Sequence, residues 1–525
     1  MKRLLLSCAA LCATFSVFAE DYVGTLLVDV DGTLAQPSQS KIVINKQSNG
    51  KYELLLNDFT LALEGETMYV GSICLKDVEA DEKGDFISLA SSQDIKITEG
   101  SYSEADGMPV MWLGPLLSAE GGIPVSLSAE LMDKSQFMTA DIEISFAGMD
   151  ISVTFDSQNY QLPNSTFDSW HALSEGFAEP DYFHSFATAD GNLASVVSQQ
   201  NKIAQSTEVR AGGEGSSIRI WSNAILGISA NGTVTNGRLA AGSVSPSSTA
   251  NHSHLDLSST AKDAAGFPFG TVFAGTPDSL EIWMNYHVGV REASNKDNVY
   301  ASVSAILTDG TYYQDPEDKS YSNVLARATA KVGDTGEKWT RVCVPFVYDE
   351  IQEKDIAPRA LLFTASTCSV PGGGSKDSEN PDILLLDDLH FIYSSKASAI
   401  LIKGVKVPNF NPGIFTYKVG LEQVPSVDDI DVEGVNLSSN YSIRIDEENK
   451  LIYVTVVSQD LLSSSQYVLE VVDPALGVDG IKTDVFPTVK ALYNLKGQQV
   501  DASNLQKGEI FIKKYTNGQA IKCIK

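Results

Sequence analysis

Cysteine, histidine and positive charge are all scarce in this chain of 525 residues, which has 6 cysteines, 6 histidines and 38 lysines and arginines against 67 acidic residues. Four cysteines remain beyond the first segment, Cys74, Cys343, Cys368 and Cys523, and their scatter excludes a disulfide-framed fold and a close-spaced zinc motif. Cys343 and Cys368 could pair in an oxidising compartment, or both be buried thiols. The formal charge of -29 excludes nucleic acid and anionic membrane as partners and favours neutral ligands, cations or other proteins. No segment after the first reaches the roughly 18 apolar residues a membrane helix needs. The opening "MKRLLLSCAALCATFSVFAED" reads as a secretory signal over residues 1–19, with Lys2 and Arg3, an apolar stretch and Val17-Phe18-Ala19 as the cleavage site. The protein is therefore expected to be exported. A lipid anchor at Cys8 fits less well, because too little of the apolar stretch precedes it.

What the chain has is alternation. From residue 20 to 156, short period-two runs are broken by turns, with "KIVINKQSNGKYELLL" a hairpin across Asn49-Gly50 and no apolar spacing of three and four. Such a sheet most simply closes into an up-and-down barrel. "LLVDVDGTLA" resembles the nucleophile motif of haloacid-dehalogenase-like phosphatases, in which Asp29 and Asp31 would carry the chemistry. That motif needs a buried parallel strand feeding a helix. Here Leu26, Val28 and Val30 alternate with Leu27, Asp29 and Asp31, and a hairpin follows, so the match is read as accidental.

"VGTLLVDVDGTL", "NGKYELLLNDFTL", "MYVGSICLKDVEA", "WLGPLL" and "ADIEISFAGMDISVTF" together resemble the calycin-like domains of secreted proteins of gut and oral Gram-negative anaerobes. The resemblance implies a lipocalin-type barrel, with Tyr69, Trp112 and Phe137 expected to fill it. Residues 160–395 contain strands spread among long Gly/Ser/Asn-rich loops, the pattern of a two-sheet jelly roll. Their opening "NSTFDSWHALSEG" and closing "DILLLDDLHFIYSS" resemble a carbohydrate-metabolism domain, itself similar to galactose-binding-like modules. Residues 396–474, from "AILIKGVKVPNFNPGIFTYKVGL", look like an Ig-like or cadherin-like sandwich, and 487–525 resemble a type IX secretion sorting tail through Tyr493, Gly497, Val500, Leu505, Lys507-Gly508 and Asn517-Gly518, on a terminal hairpin. The expected fold class is thus all-β: barrel, jelly roll, small sandwich, hairpin.

Period two divides the jelly-roll strands into faces. "SSIRIWS" sets Arg219 and Trp221 opposite Ile218 and Ile220; "SLEIWMNYHV" sets Trp283, Asn285 and His287 opposite Ile282, Met284 and Tyr286; "WTRVCVPF" sets Trp339 and Arg341 opposite Val342 and Val344. Tryptophan beside planar hydrogen-bonding groups suits a sugar, whose C–H face stacks on the indole, so Arg219, Trp221, Trp283, Asn285, His287, Trp339 and Arg341 are the candidate carbohydrate site. A covered outer face would show the same pattern. "NHSHLD" places His252, His254 and Asp256 like a metal pair, but is expected to be a solvated loop. The galactose-binding-like resemblance implies that Asp168 and one of Asp387 or Asp388 hold a structural calcium ion, although Asp stands where those modules often carry Glu. No catalytic residue emerges: there is no Gly-x-Ser-x-Gly elbow, and 67 acidic residues hide any glycosidase pair. The expectation is an exported, non-catalytic, surface protein of a Gram-negative bacterium that binds glycan, requires no cofactor and meets partner proteins at the outer membrane. The alternatives are a glycan-processing hydrolase with its site between the first two domains, and a structural surface protein.

Overall fold

The computed structural model describes residues 19–63, 66–83, 86–101, 111–119, 121–132, 137–146, 148–174, 176–348, 357–436, 438–474, 489–494, 498–501, 510–515 and 520–524. The signal segment up to Phe18, and Gly497, Leu505, Lys507-Gly508 and Asn517-Gly518 of the tail, lie outside these residues. Among the described residues, no helix is long and apolar enough to cross a membrane. The chain forms two compact units, Met1–Gln158 and Asn159–Lys525.

The first unit is a closed barrel of eight antiparallel strands in chain order, from Ala19–Val30 to Met149–Asp156, with those two strands pairing to close it (Leu26 opposite Phe155, Val28 opposite Val153). Strict alternation makes the barrel: in Ile123–Met132, Ile123, Val125, Leu127, Ala129 and Leu131 are buried while Pro124, Ser126, Ser128 and Glu130 face out. The interior is packed with such aliphatic side chains, including Leu54, Leu56, Ile73 and Leu75. Each fully buried one contributes about 1.5–3 kcal/mol. The aromatics in the interior are Tyr22, Tyr52, Phe59 and Phe155, which corrects the expected filling: Tyr69 and Trp112 pack edge to face at 5.8 Å, and neither they nor Phe137 belong to the interior cluster. Met68 and Val70 point in, so Tyr69 between them points the other way.

The phosphatase-like stretch is a hairpin corner. Asp29 Oδ1 accepts the Gly32 amide at 2.6 Å, and Asp31 and Gly32 both take positive φ (49° and 82°) to turn the chain. Gly50, at φ 83°, turns the hairpin between Ser38–Lys46 and Tyr52–Leu63.

The second unit opens with a jelly roll. A five-stranded sheet runs Ile203–Ser206, Ser217–Trp221, Ile383–Ile392, Ser279–His287, Thr340–Pro345, and a four-stranded sheet runs Thr233–Thr235, Ala360–Ser366, Ala301–Thr308, Val324–Val332. Their facing residues form one core: Ile218, Ile220, Ile282, Met284, Leu384 and Leu386 from the first, Val234, Val303, Ala305, Phe363 and Ala365 from the second. A three-stranded sheet of Arg238–Ala241, Asn251–Leu255 and Tyr313–Asp315 accompanies them.

A smaller sandwich follows. Its sheets are Val405–Lys406, Ala397–Ile402, Ile430–Gly434 and Thr416–Gly420, Ser464–Val472, Leu451–Val457, Asn440–Asp446, with Thr416–Gly420 running parallel to Ser464–Val472. The Thr276 side chain and amide reach Gln459 Oε1 (2.9 and 2.8 Å), tying the two sandwiches. The terminal hairpin proves to be a four-stranded sheet of Val489–Asn494, Gln499–Val500, Ile510–Tyr515 and Ala520–Ile524, linked to the small sandwich by Lys513 Nζ on Asp431 Oδ1 at 2.6 Å.

Candidate functional site

Arg219, Trp221, Trp283, Asn285, His287 and Arg341 lie on the outer face of the five-stranded sheet, opposite the core, while Trp339 stands just before the strand Thr340–Pro345. Register brings Trp283 beside Asp387 on one side and Arg341 on the other, and Arg219 and Asn285 both flank Leu385. The loop 207–216 then folds over part of this face. Glu208 Oε1 accepts Asn285 Nδ2 at 3.0 Å, while Asn285 Oδ1 accepts Thr335 Oγ1 at 3.1 Å, so both ends of that amide are engaged. The Arg210 guanidinium lies 5.4 Å from the Trp283 ring centre and Arg219 lies 5.0 Å from that of Trp221. Burial lowers the Arg219 pKa, partly offset by Glu208. Trp221, Trp283 and Trp339 are half-buried, and Trp339 Nε1 is buried without a hydrogen-bond partner. His287 and Arg341 are exposed, Arg341 pairing with Glu281 and His287 Nδ1 lying 3.9 Å from Asp334. Cys343 is exposed on the same strand and Cys368 is buried; both are free thiols, which corrects both the pairing and the reading of two buried thiols.

The segments that carry the expected calcium residues come together at one end of this sheet, where the Leu389 amide donates to Ser165 O at 2.9 Å. Their oxygens meet N–H donors of the same loop: Asp168 Oδ1 accepts Ser216 N at 2.8 Å, Asp387 Oδ2 accepts Arg210 N at 3.0 Å, and Asp388 pairs with the Arg210 side chain. Burial pushes the Asp387 carboxyl up, so its charge is already costly there.

The opposite sheet carries a pocket that sequence reasoning missed. On the outer face of the four-stranded sheet, cross-strand register aligns Thr233, Ser366 and Ser302 in one row and Thr235, Thr364 and Ser304 in the next. Thr233 Oγ1 lies 3.3 Å from Ser366 Oγ, and Ser253 Oγ lies 2.9 Å from Thr364 Oγ1. Of these, Thr233, Ser302, Ser304, Thr364 and Ser366 floor a cavity of about 410 Å³ walled by Phe186, Leu193, Ile225, Leu239 and Val244, with Asn251, His252 and Asp315 adding polar groups. Leu226 and Val244, 70% and 58% exposed, stand among its walls. Burial raises the Asp315 pKa. His252 and His254 sit on the strand Asn251–Leu255 rather than in a solvated loop, because that segment pairs with Arg238–Ala241 and Tyr313–Asp315. Their rings lie 5.3 Å apart; His254 is largely buried, which lowers its pKa, and Nε2 lies 3.6 Å from Asp190. The available signal was Ser/Thr at alternate positions in "NVYASVSAILTDG", "LLFTAST" and "GTVTNG".

No curated protein matches the chain. Among solved structures it is similar to a "putative glycoside hydrolase" from Bacteroides vulgatus (17% identity, 42% of this chain and 89% of that one, TM-score 0.26). A second "putative glycoside hydrolase", from Bacteroides thetaiotaomicron, matches at 10% identity over 72% of this chain and 98% of that one, with a TM-score of 0.30. A "putative outer membrane protein" from Bacteroides fragilis matches at 9% identity over 66% and 96%, with a TM-score of 0.17. Likenesses this distant carry no activity across to this chain. The family assignment concerns the first unit: residues 18–158 match the calycin-like beta-barrel domain, the family its closed barrel and its sequence both resemble.

Proposed function

We propose that the chain is an exported, non-catalytic glycan-binding protein whose jelly roll takes a small neutral saccharide in the pocket above the Ser/Thr rows. The observation that carries this reading is the combination of an aligned hydroxyl floor with apolar walls in a cavity of about 410 Å³. Such a pocket offers hydrogen bonds to sugar hydroxyls below and van der Waals contact to C–H faces at the sides. Glycoside hydrolysis ordinarily uses two carboxyl groups flanking the bond. Among the described lining residues Asp315 is the one carboxylate, which favours binding over cleavage. The net charge of -29 favours a neutral ligand over an anionic one. Export rests on the signal-like first 19 residues, and surface partner proteins remain part of the reading through the sorting-like tail.

A glycan array on the mature chain, followed by titration of the best hit, tests the proposal. Ser302→Phe should fill the floor and weaken binding at least tenfold, about 1.4 kcal/mol, with an unchanged denaturation midpoint. Full-strength binding by the folded variant would overturn the pocket, and chromatography showing cleavage of the hit would favour the hydrolase. A second reading, a longer glycan along Trp221, Trp283 and Trp339, is favoured by the partial exposure of all three residues.

A further inference from the structure

Between the opening hairpin of the jelly roll and the loop 256–270 lies a buried cluster that neither the pocket nor the tryptophan face uses. His171 and Glu179 are cross-strand partners in the hairpin Trp170–Ser174/Phe177–Pro180, so they share one side of it. His184 follows where the chain bridges to Thr235, and Asp263 comes from the distant loop. The side chains of Glu179, His184 and Asp263 are 0% exposed and that of His171 9%.

The ring nitrogens meet carboxyl and carbonyl oxygens. His171 Nδ1 lies 3.0 Å from Asp181 Oδ1, and its Nε2 lies 2.9 Å from Asp263 Oδ2. His184 Nε2 lies 3.0 Å from the Pro268 carbonyl, and its Nδ1 faces Glu179 Oε2 at 3.3 Å and Asp263 Oδ2 at 3.9 Å. A neutral imidazole has one N–H, so where the outer partners, Asp181 and Pro268 O, take it, His171 Nε2 and His184 Nδ1 are left beside the carboxyl groups of Asp263 and Glu179. His171 Nε2 and Asp263 Oδ2 are both buried and make no hydrogen bond, despite their short separation, because they are not aligned on each other. Among the described residues no lysine or arginine pairs with Glu179 or Asp263.

The surroundings hold this arrangement still. Asp263 Oδ1 accepts the amides of Ala265 and Phe267, both at 2.9 Å, which turns Oδ2 inward. Glu179 Oε1 accepts the amide and hydroxyl of Ser185, both at 2.6 Å. The His171 ring stacks on Phe267 at 4.4 Å, and His184 packs on Phe269 at 4.5 Å. Ligand atoms of His171, Glu179 and Asp263 all lie within 4.8 Å of one another, and His184 Nδ1, outside that trio, approaches it from the side of Glu179 and Asp263.

From this convergence we infer that His171 Nε2, Glu179 Oε2, Asp263 Oδ2 and His184 Nδ1 bind one zinc ion in a closed structural site. Two imidazoles and two carboxylates are ordinary zinc ligands, a dication balances the two buried negative charges, and ligating histidines typically donate their other N–H to a carboxylate or carbonyl. The ion would clamp the hairpin to the loop 256–270. It would also steady the turn Phe186–Thr188 that brings Phe186 to the pocket, because Glu179 holds that turn through Ser185 and Thr188.

The test uses the mature chain, stripped with a chelator and then dialysed against zinc chloride with a weak competing chelator. About one zinc per chain by elemental analysis is expected, with a higher melting temperature, and cobalt should give the visible absorption of a four-coordinate site. Asp263→Asn keeps the turn-forming oxygen and should abolish stoichiometric zinc. Asp181→Asn touches no ligand position and should weaken zinc roughly 10- to 100-fold. A chain that stays folded, takes up no stoichiometric zinc and melts identically with and without it would overturn the site, showing protons alone between these groups. Equal zinc affinity in wild type and Asp263→Asn would overturn it as well, and the cobalt spectrum of the wild type decides the matter should a variant fail to fold.

Discussion

The guanidinium of Arg210 lies over the indole of Trp283, 5.4 Å from the ring centre, while the same side chain pairs with Asp388. A residue from the loop 207–216 thus occupies a ring face that a bound sugar would need. Replacing Trp283 by Ala should therefore lower folding stability by roughly 1–3 kcal/mol through lost packing, and leave the affinity for an array-identified glycan unchanged. Trp221→Ala, with Arg219 stacked on it, should behave likewise. Denaturation midpoints measured beside glycan titrations check this; a tenfold affinity loss at unchanged midpoint would favour the tryptophan-face reading.

A calcium ion between Asp168 and Asp387 would have to compete with the amides of Ser216 and Arg210 and with the Arg210 side chain. Millimolar calcium is expected to leave the wild-type melting temperature unchanged. Arg210→Ala removes the competing cation and should create a calcium-dependent increase in melting temperature, readable by scanning calorimetry.

Arg291 and Asp382 form a deeply buried ion pair, their side chains 7% and 0% exposed, and Asp382 also accepts the amides of Gly289 and Ser375, both at 2.9 Å. Removing one partner strands the other charge. Asp382→Ala should cost about 3–5 kcal/mol of unfolding free energy, whereas Arg291→Met with Asp382→Leu together should cost less than the single change. Denaturant titration of the three chains is the check.

Lys202 is buried and, among the described residues, has no carboxylate partner: Nζ donates to the Ala230 carbonyl at 2.6 Å, and burial lowers its pKa to about 7 from the ordinary 10.5. Between those two pH values the unfolded chain binds one more proton than the folded chain, so this group's contribution to stability improves as pH rises. The slope approaches 1.4 kcal/mol per pH unit within the window, and the cost is full below about pH 7 and absent above about 10.5. Lys202→Met should lack this slope, so that wild type gains on the variant from pH 7 to 10 in urea titrations; parallel curves would contradict the prediction.

Sequence periodicity alone carried the barrel, the Asn49-Gly50 turn and the two faces of "SLEIWMNYHV", because strand side chains alternate whatever their partners. It also exposed the phosphatase-like match at Asp29 and Asp31 as accidental, since an alternating antiparallel strand cannot be a buried parallel one. Only tertiary structure decided what lies on top of each face. Arg210 reaches Trp283 because a loop folds back, and the floor of Ser302, Thr364 and Thr233 exists because strands far apart in the chain come into register. His171 and Glu179 share a hairpin, yet Asp263 arrives from a loop whose sequence carries no ligand spacing. Alternation is a local property of one strand's backbone, whereas coverage, pockets and ligand clusters depend on which distant segments pack together, and no local pattern records that.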